Sequence, residues 1–238
     1  MGLRDRLQKI LHFILNPLVR ILIALGVTPN IITLFGFAIN TIVAIIFIKG
    51  AENTERTDLT YIGWGGALIL FAGIFDMLDG QVARLGKMSS KFGALFDSVI
   101  DRYSELIMFL GICYYLVSHH YFMSSLIAFI GMIGSIMVSY TRARAEGLGI
   151  PCKDGLMQRP ERIVTIGLAA LTCGVAGHLY GGNQKISISI FGYSDFETIS
   201  IFVIPLAIIA ILANYTAIQR LRICFLYLKK MEDKSSSV

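Results

Sequence analysis

Charge is scarce in this sequence. Of its 238 residues 16% are charged, 55% are hydrophobic, and the mean hydropathy is +0.69. Soluble domains carry about a quarter charged residues, so a water-soluble globular enzyme is excluded. Soft metal-ligand patterns are missing as well. The four cysteines, Cys113, Cys152, Cys173 and Cys224, form no CxxC pair, and no two of the four histidines stand at a ligand spacing. The cysteines read as small buried hydrophobes and not as zinc ligands. The N-terminal stretch MGLRDRLQKILHFILNPLVRILIALG mixes charges into its apolar residues and has no short apolar core before a small-residue cleavage site, so it is not read as a cleavable signal. There is no internal repeat and no linker long enough to divide the chain, which predicts one membrane domain over 1–230 and a disordered tail over 231–238.

What is present is a series of apolar runs close to the ~20 residues that a spanning helix needs. They predict an all-α, polytopic membrane protein with six transmembrane helices near 31–48, 60–79, 94–117, 121–140, 161–177 and 198–219. Ahead of them, Leu3, Leu7, Ile10, Leu11, Ile14, Leu18, Ile21, Leu22 and Leu25 recur at helical spacing among Arg4, Arg6, Lys9 and Arg20. That pattern predicts an amphipathic interfacial helix over 1–27, bent at Pro17. With six spans both termini share a side with the 80–93 and 141–160 loops. That side holds 18 of the 21 basic residues, counting Arg102, against Lys49, Arg56 and Lys185 opposite. The bias puts the termini and basic loops in the cytoplasm, as in the plasma membrane of a prokaryote. It also accounts for the net charge of +5 without nucleic acid. In the 178–197 outer loop an alternating ISISI between turn residues predicts a short hairpin.

Against this apolar background the stretch FDMLDGQVARLGKMSSKFGALFDSVID, residues 75–101, carries Asp76, Asp79, Asp97 and Asp101. A carboxylate at the centre of a spanning helix costs about 2.5–3.5 kcal/mol, so four unpaired ones cost roughly 10–14 kcal/mol, less near the interface. Clustered like charges add repulsion that a cation relieves. Asp76 and Asp79 are three residues apart, and Asp97 and Asp101 four apart, so each pair projects from one helix face. The intervening GKMSSK turn predicts that the two helices are antiparallel neighbours with converging faces. Gly93 extends the second stripe by a turn and permits close approach. Oxygen ligands from two rigid helices suit Mg²⁺ or Mn²⁺. The simpler alternative is that the acids are neutralised by Arg84 or Arg102.

Asp76, Asp79, Gly80, Ala83, Arg84, Gly93, Asp97 and Asp101, in this order and spacing, resemble the complete signature of the CDP-alcohol phosphotransferase (CDP-alcohol phosphatidyltransferase) family. The resemblance covers nearly the whole chain, including the TPNIIT stretch at 28–33. It implies a homodimeric membrane enzyme that moves a phosphatidyl group from CDP-diacylglycerol to an alcohol, releasing CMP in phospholipid biosynthesis. It implies that Asp76, Asp79 and Asp97 ligate metal, and that Asp101 completes a second metal site and acts as the base toward the hydroxyl. Gly80, Ala83 and Arg84 would contact the CDP part of the donor, bordered by Asn30 and Thr33.

A second segment, SYTRARAEGLGIPCKDGLMQRPER at 139–162, brings Arg142, Arg144, Lys153, Arg159 and Arg162 to the same side. Read alone it is positive-inside charge in contact with headgroups. It also resembles the branch of the family that makes phosphatidylinositol phosphate from inositol 1-phosphate, together with the archaetidylinositol phosphate synthases. Carried over, Ser139, Arg142, Arg159 or Arg162, and Arg220 would hold the phosphate of a phosphorylated polyol acceptor. Arginine's planar fork suits that role. Glycerol 3-phosphate is the alternative acceptor, and a divalent-cation transporter the alternative from another class. Transport sites, however, lie at the midplane between repeated halves.

Overall fold

The computed structural model describes residues 3–152, 155, 157–187 and 195–235. Lys153, the middle of the expected hairpin (188–194) and residues 236–238 lie outside them. The elements are α1 (Leu3–Ala24), α2 (Pro29–Asn53), α3 (Thr60–Leu85), α4 (Lys91–Ser118), α5 (Phe122–Gly147), α6 (Arg159–Tyr180), β1 (Lys185–Ser187), β2 (Asp195–Glu197) and α7 (Ser200–Ser235). β1 and β2 pair antiparallel, Ile186 opposite Phe196. Helix starts follow local chemistry. Thr28 is extended and Pro29 opens α2, where a missing N–H is harmless. Ser90 caps α4 by accepting from Gly93 N at 2.9 Å. Gln158 and Glu161 form a capping box on α6, which ends on Gly181 in the left-handed region, φ 75°.

Helices α2, α3, α5, α6 and α7 are long and apolar enough to cross a membrane. α4 is of similar length but carries Asp97, Asp101, Arg102 and Glu105 within its first fifteen residues. α7 is the outlier in length: 36 residues rise ~54 Å against a hydrocarbon core of ~30 Å. It continues as helix to Ser235, through most of the segment read from sequence as a disordered tail. Its apolar pattern runs on to Leu228 and Met231 and supports further turns.

Helix contacts close a ring in the order α2, α4, α5, α7, α6, α3 and back to α2. Phe47, Ile69, Phe109, Ile166, Phe202 and their neighbours fill its interior. The expectation that the two aspartate helices are direct neighbours is corrected here. α2 packs against both α3 and α4, while α3 and α4 barely meet. Helix order around a ring is set by which faces fit, and the short 86–90 turn does not force contact along the two helices. α1 packs outside the ring, with Val19 buried against Leu78 and Val82 of α3.

Close approach in the ring depends on small residues, as is usual where lipid gives helices no hydrophobic reason to associate. A Cβ on Gly66 of α3 would lie 2.3 Å from Leu171 N and 2.7 Å from Gly167 O of α6. At the end of the ring remote from the aspartates a polar cluster ties the loops together. Glu197 accepts from Arg56 Nη2 (2.9 Å), Tyr121 Oη (2.8 Å) and Asn183 Nδ2 (2.8 Å). Burial alone pushes the Glu197 carboxyl up, but the three donors and the Arg56 charge outweigh it and hold it below its ordinary 4.5.

Two outcomes follow for unfolding in detergent. Gly66→Ala loses about 1–3 kcal/mol through overpacking, whereas Gly147→Ala, with nothing within 4 Å of the added carbon, is neutral or gains up to about 1 kcal/mol. The lowered Glu197 value means that its stabilisation is fully present above the ordinary carboxylate range and is lost as pH falls through its folded value. Wild type therefore melts above Glu197→Gln at neutral pH, and the two curves converge as the pH falls through the lowered folded value of Glu197.

Candidate active site

Three helix N-termini, those of α2, α4 and α6, meet the C-terminal end of α3 at one end of the ring, and all the acids of the 75–101 stretch sit there. Asp76 of α3 and Asp97 and Asp101 of α4 each offer a carboxylate oxygen, and these oxygens all lie within 4.8 Å of one another. Asp79 stands beside them, buried. Its Oδ2 accepts from Thr33 Oγ1 at 2.8 Å and its Oδ1 from Gly80 N at 2.5 Å. The cluster is all hard oxygen with no Cys or His in it, a donor set that fits a divalent cation of the Mg²⁺ type and not zinc.

The counter-charge comes from an unexpected helix. Arg159, at the first turn of α6, reaches Asp76 Oδ2 on the neighbouring α3 (Nη1, 2.5 Å) and, across the ring, Asp101 Oδ1 on α4 (Nη2, 2.8 Å). Among the described residues neither arginine weighed from sequence as a neutralising partner forms a direct ion pair with the aspartates, although Arg102 lines the same cavity as Asp97 and Asp101. Arg102 bonds Ser98 on its own helix, with Nη1 2.7 Å from Oγ, and Arg84 folds back over Gly80. One turn deeper Arg162, with no exposed surface, forms a two-point pair with Glu105: Nε to Oε1 at 2.9 Å and Nη2 to Oε2 at 3.1 Å. Its Nη1 donates to Met157 O at 2.9 Å. Glu105 is the site residue that sequence reasoning missed. Its signal was in view, because Asp97, Asp101 and Glu105 continue one stripe at four-residue intervals.

Three cavities open on this cluster. One of about 210 Å³ is lined by Asn30, Thr33, Gly80, Ala83 and Arg84, with Gly93 and Asp97. It thus gathers every residue assigned from sequence to the donor's CDP part. It lies between the N-termini of α2 and α4, whose dipoles and free N–H groups favour anions. A Cβ on Gly93 would come 3.0 Å from Ser90 Oγ, so glycine keeps that wall open. A second cavity, about 280 Å³, has Ser139, Arg142, Arg159, Arg162 and Arg220 in its walls and Asp97 and Asp101 at its floor. Within it Arg220 is buried and donates Nη1 to Val138 O at 2.7 Å, and Arg142 pairs with Glu146 at 2.9 Å. A third, about 240 Å³, is walled largely by apolar residues such as Phe37, Leu70, Ile74 and Val164, and reaches Asp76, Asp79 and Asp101.

Known proteins resemble this chain in sequence and in fold. The chain is 34% identical over 166 residues to a phosphatidylinositol phosphate synthase of Mycobacteroides abscessus, covering 69% of this chain and 71% of that one. It is 34% identical over 155 residues to an archaetidylinositol phosphate synthase of Methanothermobacter thermautotrophicus, covering 65% and 70%. Crystal structures of the Mycobacterium tuberculosis phosphatidylinositol phosphate synthase superpose at 25% identity. The form with CDP-DAG bound has TM-score 0.67 over 88% of this chain and 92% of that one, and the complex with manganese and citrate has TM-score 0.69 over 88% of each. The sequence model of the family described as CDP-alcohol phosphatidyltransferase matches residues 26–228, which hold every residue lining the three cavities. The chain belongs to that family and is a metal-dependent transferase of the membrane.

Proposed function

We propose that the protein transfers the phosphatidyl group of CDP-diacylglycerol to inositol 1-phosphate, releasing CMP and forming phosphatidylinositol phosphate. The observation that carries the acceptor is the arginine-walled cavity opening onto Asp97 and Asp101. Several guanidinium groups around one small volume suit a dianionic phosphate and are excessive for a neutral alcohol. The names of the relatives point the same way.

In this reading Asp76, Asp79 and Asp97 hold Mg²⁺ or Mn²⁺, and Asp101 completes a second ion site. The metal, when bound, polarises the phosphorus and stabilises the departing CMP. The chain's own residues do the rest. The α2 and α4 N-termini, with Asn30, Thr33, Gly80, Ala83 and Arg84, take the CDP part, while the apolar cavity receives the start of the acyl chains. Ser139, Arg142 and Arg220 hold the acceptor phosphate, and Asp101 accepts the proton of the attacking hydroxyl. Arg162 serves the acceptor cavity as a fixed wall, its nitrogens already engaged by Glu105 and Met157.

The same reading makes α4 a sixth span, its charges turned into the ring, and α1 an interfacial helix. It puts both termini and the site in the cytoplasm, on the side holding 18 of the 21 basic residues. The working unit is a homodimer.

Purified protein with CDP-diacylglycerol and Mg²⁺ or Mn²⁺ releases CMP when given inositol 1-phosphate, and not with inositol or serine. A chelator stops release, and returning the metal restores it. CMP release driven by glycerol 3-phosphate alone would move the protein to that acceptor. Asp101→Asn lowers turnover by about 10²–10⁴-fold, and unchanged turnover would refute its role as base. Arg220→Gln raises KM for inositol 1-phosphate by on the order of ten-fold and leaves KM for the donor nearly unchanged, as checked by varying each substrate in turn.

A further inference from the structure

Two arginines one helical turn apart on α6 cross the ring toward α4, and they are held very differently. Arg162 is fully buried, with Nε, Nη1 and Nη2 all bonded to Glu105, Met157 O or Ser135 O. Arg159 keeps some exposure. Its two Nη atoms bind Asp76 and Asp101, and its buried Nε has no hydrogen-bond partner. Arg162 is locked and Arg159 is not. Arg159 also lies in the walls of both the apolar cavity and the arginine-lined cavity, so its side chain stands at the border of two compartments.

From this contrast we infer that Arg159 is an exchangeable counter-ion: it competes with the divalent cation for Asp76 and Asp101, and on displacement turns into the neighbouring cavity to bind the acceptor's phosphate. The second half rests on the acceptor reading given above; the first half does not. The two carboxylates that Arg159 holds belong to the cluster that offers one oxygen from each residue within 4.8 Å of the others, so a cation bound there and the guanidinium are like charges close together. The backbone need not move. The capping box and the Glu105–Arg162 pair fix the first turn of α6, and a rotation of the Arg159 side chain about that fixed point suffices. By linkage a phosphate that draws the guanidinium away from the aspartates strengthens cation binding, and the cation strengthens phosphate binding by the same factor. Arg159 is then a positioning residue that makes metal and acceptor arrive cooperatively.

The test reads binding, not turnover. Mn²⁺ affinity is measured by electron paramagnetic resonance on the full-length protein in detergent, with and without inositol 1-phosphate, glycerol 3-phosphate or inorganic phosphate. In wild type, inositol 1-phosphate tightens Mn²⁺ on the order of ten-fold. Arg159→Gln binds Mn²⁺ tighter than wild type by a similar factor, and added phosphate compound tightens it no further. Any Mn²⁺–phosphate association in solution is common to both proteins and cancels in the comparison. Arg159→Lys, which keeps the charge but not the fork, falls between the two and serves if the glutamine variant does not fold; the wild-type coupling needs no variant. Mn²⁺ affinity in Arg159→Gln equal to or weaker than wild type overturns the inference, as does coupling that survives in it. If Arg159→Gln binds Mn²⁺ tighter but inositol 1-phosphate leaves wild type unmoved, the competition stands and the acceptor half falls. A response to glycerol 3-phosphate instead corrects the acceptor and leaves the exchange intact.

Discussion

Crowding of like charge at one end of a helix ring is the constraint from which the rest of the site follows. Three carboxylates with oxygens within 4.8 Å, and a fourth beside them, cannot stay ionised there without cations, donors or water close at hand. The fold supplies several at once. Thr33 and the Gly80 amide satisfy Asp79, Arg159 spans Asp76 and Asp101, and the N-termini of α2, α4 and α6 converge on the same end. The separation of α3 from α4 belongs to the same solution. With α2 packed against both, the two acidic faces look across a cleft that a cation and two substrates can enter. Two acidic helices packed directly together would have closed it.

Across that cleft α4 and α6 are joined by charge instead of by helix packing. Glu105–Arg162 is the deeper rung and Asp101–Arg159 the outer one. Removing one partner of a fully buried pair typically costs about 3–5 kcal/mol, because the other is left charged without compensation. The deep rung therefore behaves as a fixed strut that sets the width of the cleft. The outer rung is part-exposed and leaves the Arg159 Nε without a partner. One pair type, repeated after one helical turn, is held differently because burial differs between the turns.

Much of this was legible in the residue order. Five of the six apolar runs correspond to helices long and apolar enough to span, and the aspartate spacing gave the two faces directly. The residues assigned to the donor line one cavity and those assigned to the acceptor line another. What the sequence could not show depends on distant faces meeting. Spacing within one helix says nothing of ring order, and a short turn by itself predicts neighbours where α3 and α4 barely meet. Arg84 and Arg102 were natural partners for the aspartates by proximity in sequence, yet the partner is Arg159, 83 residues from Asp76. Arg162 reads in the sequence as a candidate holder of the acceptor phosphate, because nothing local announces that Glu105, 57 positions earlier, claims its fork.

The depth of the site follows from the same arrangement. The cavities facing the loops are lined by helix N-termini, glycines and arginines, all suited to phosphate groups that remain hydrated. The apolar cavity meets the same aspartates from among the apolar residues of α2, α3 and α6. A lipid phosphate bonded at once to a nucleotide and to acyl chains has to sit where these regions join, and that junction is where Asp76, Asp79, Asp97 and Asp101 stand. Moving the acids a turn deeper would surround them with the ring's apolar core and raise the energy of their ionised form. Moving them a turn outward would expose cation and leaving group to bulk water, which weakens every charge interaction the reaction uses. The insertion penalty visible in the sequence is the energetic consequence of placing charge at that junction.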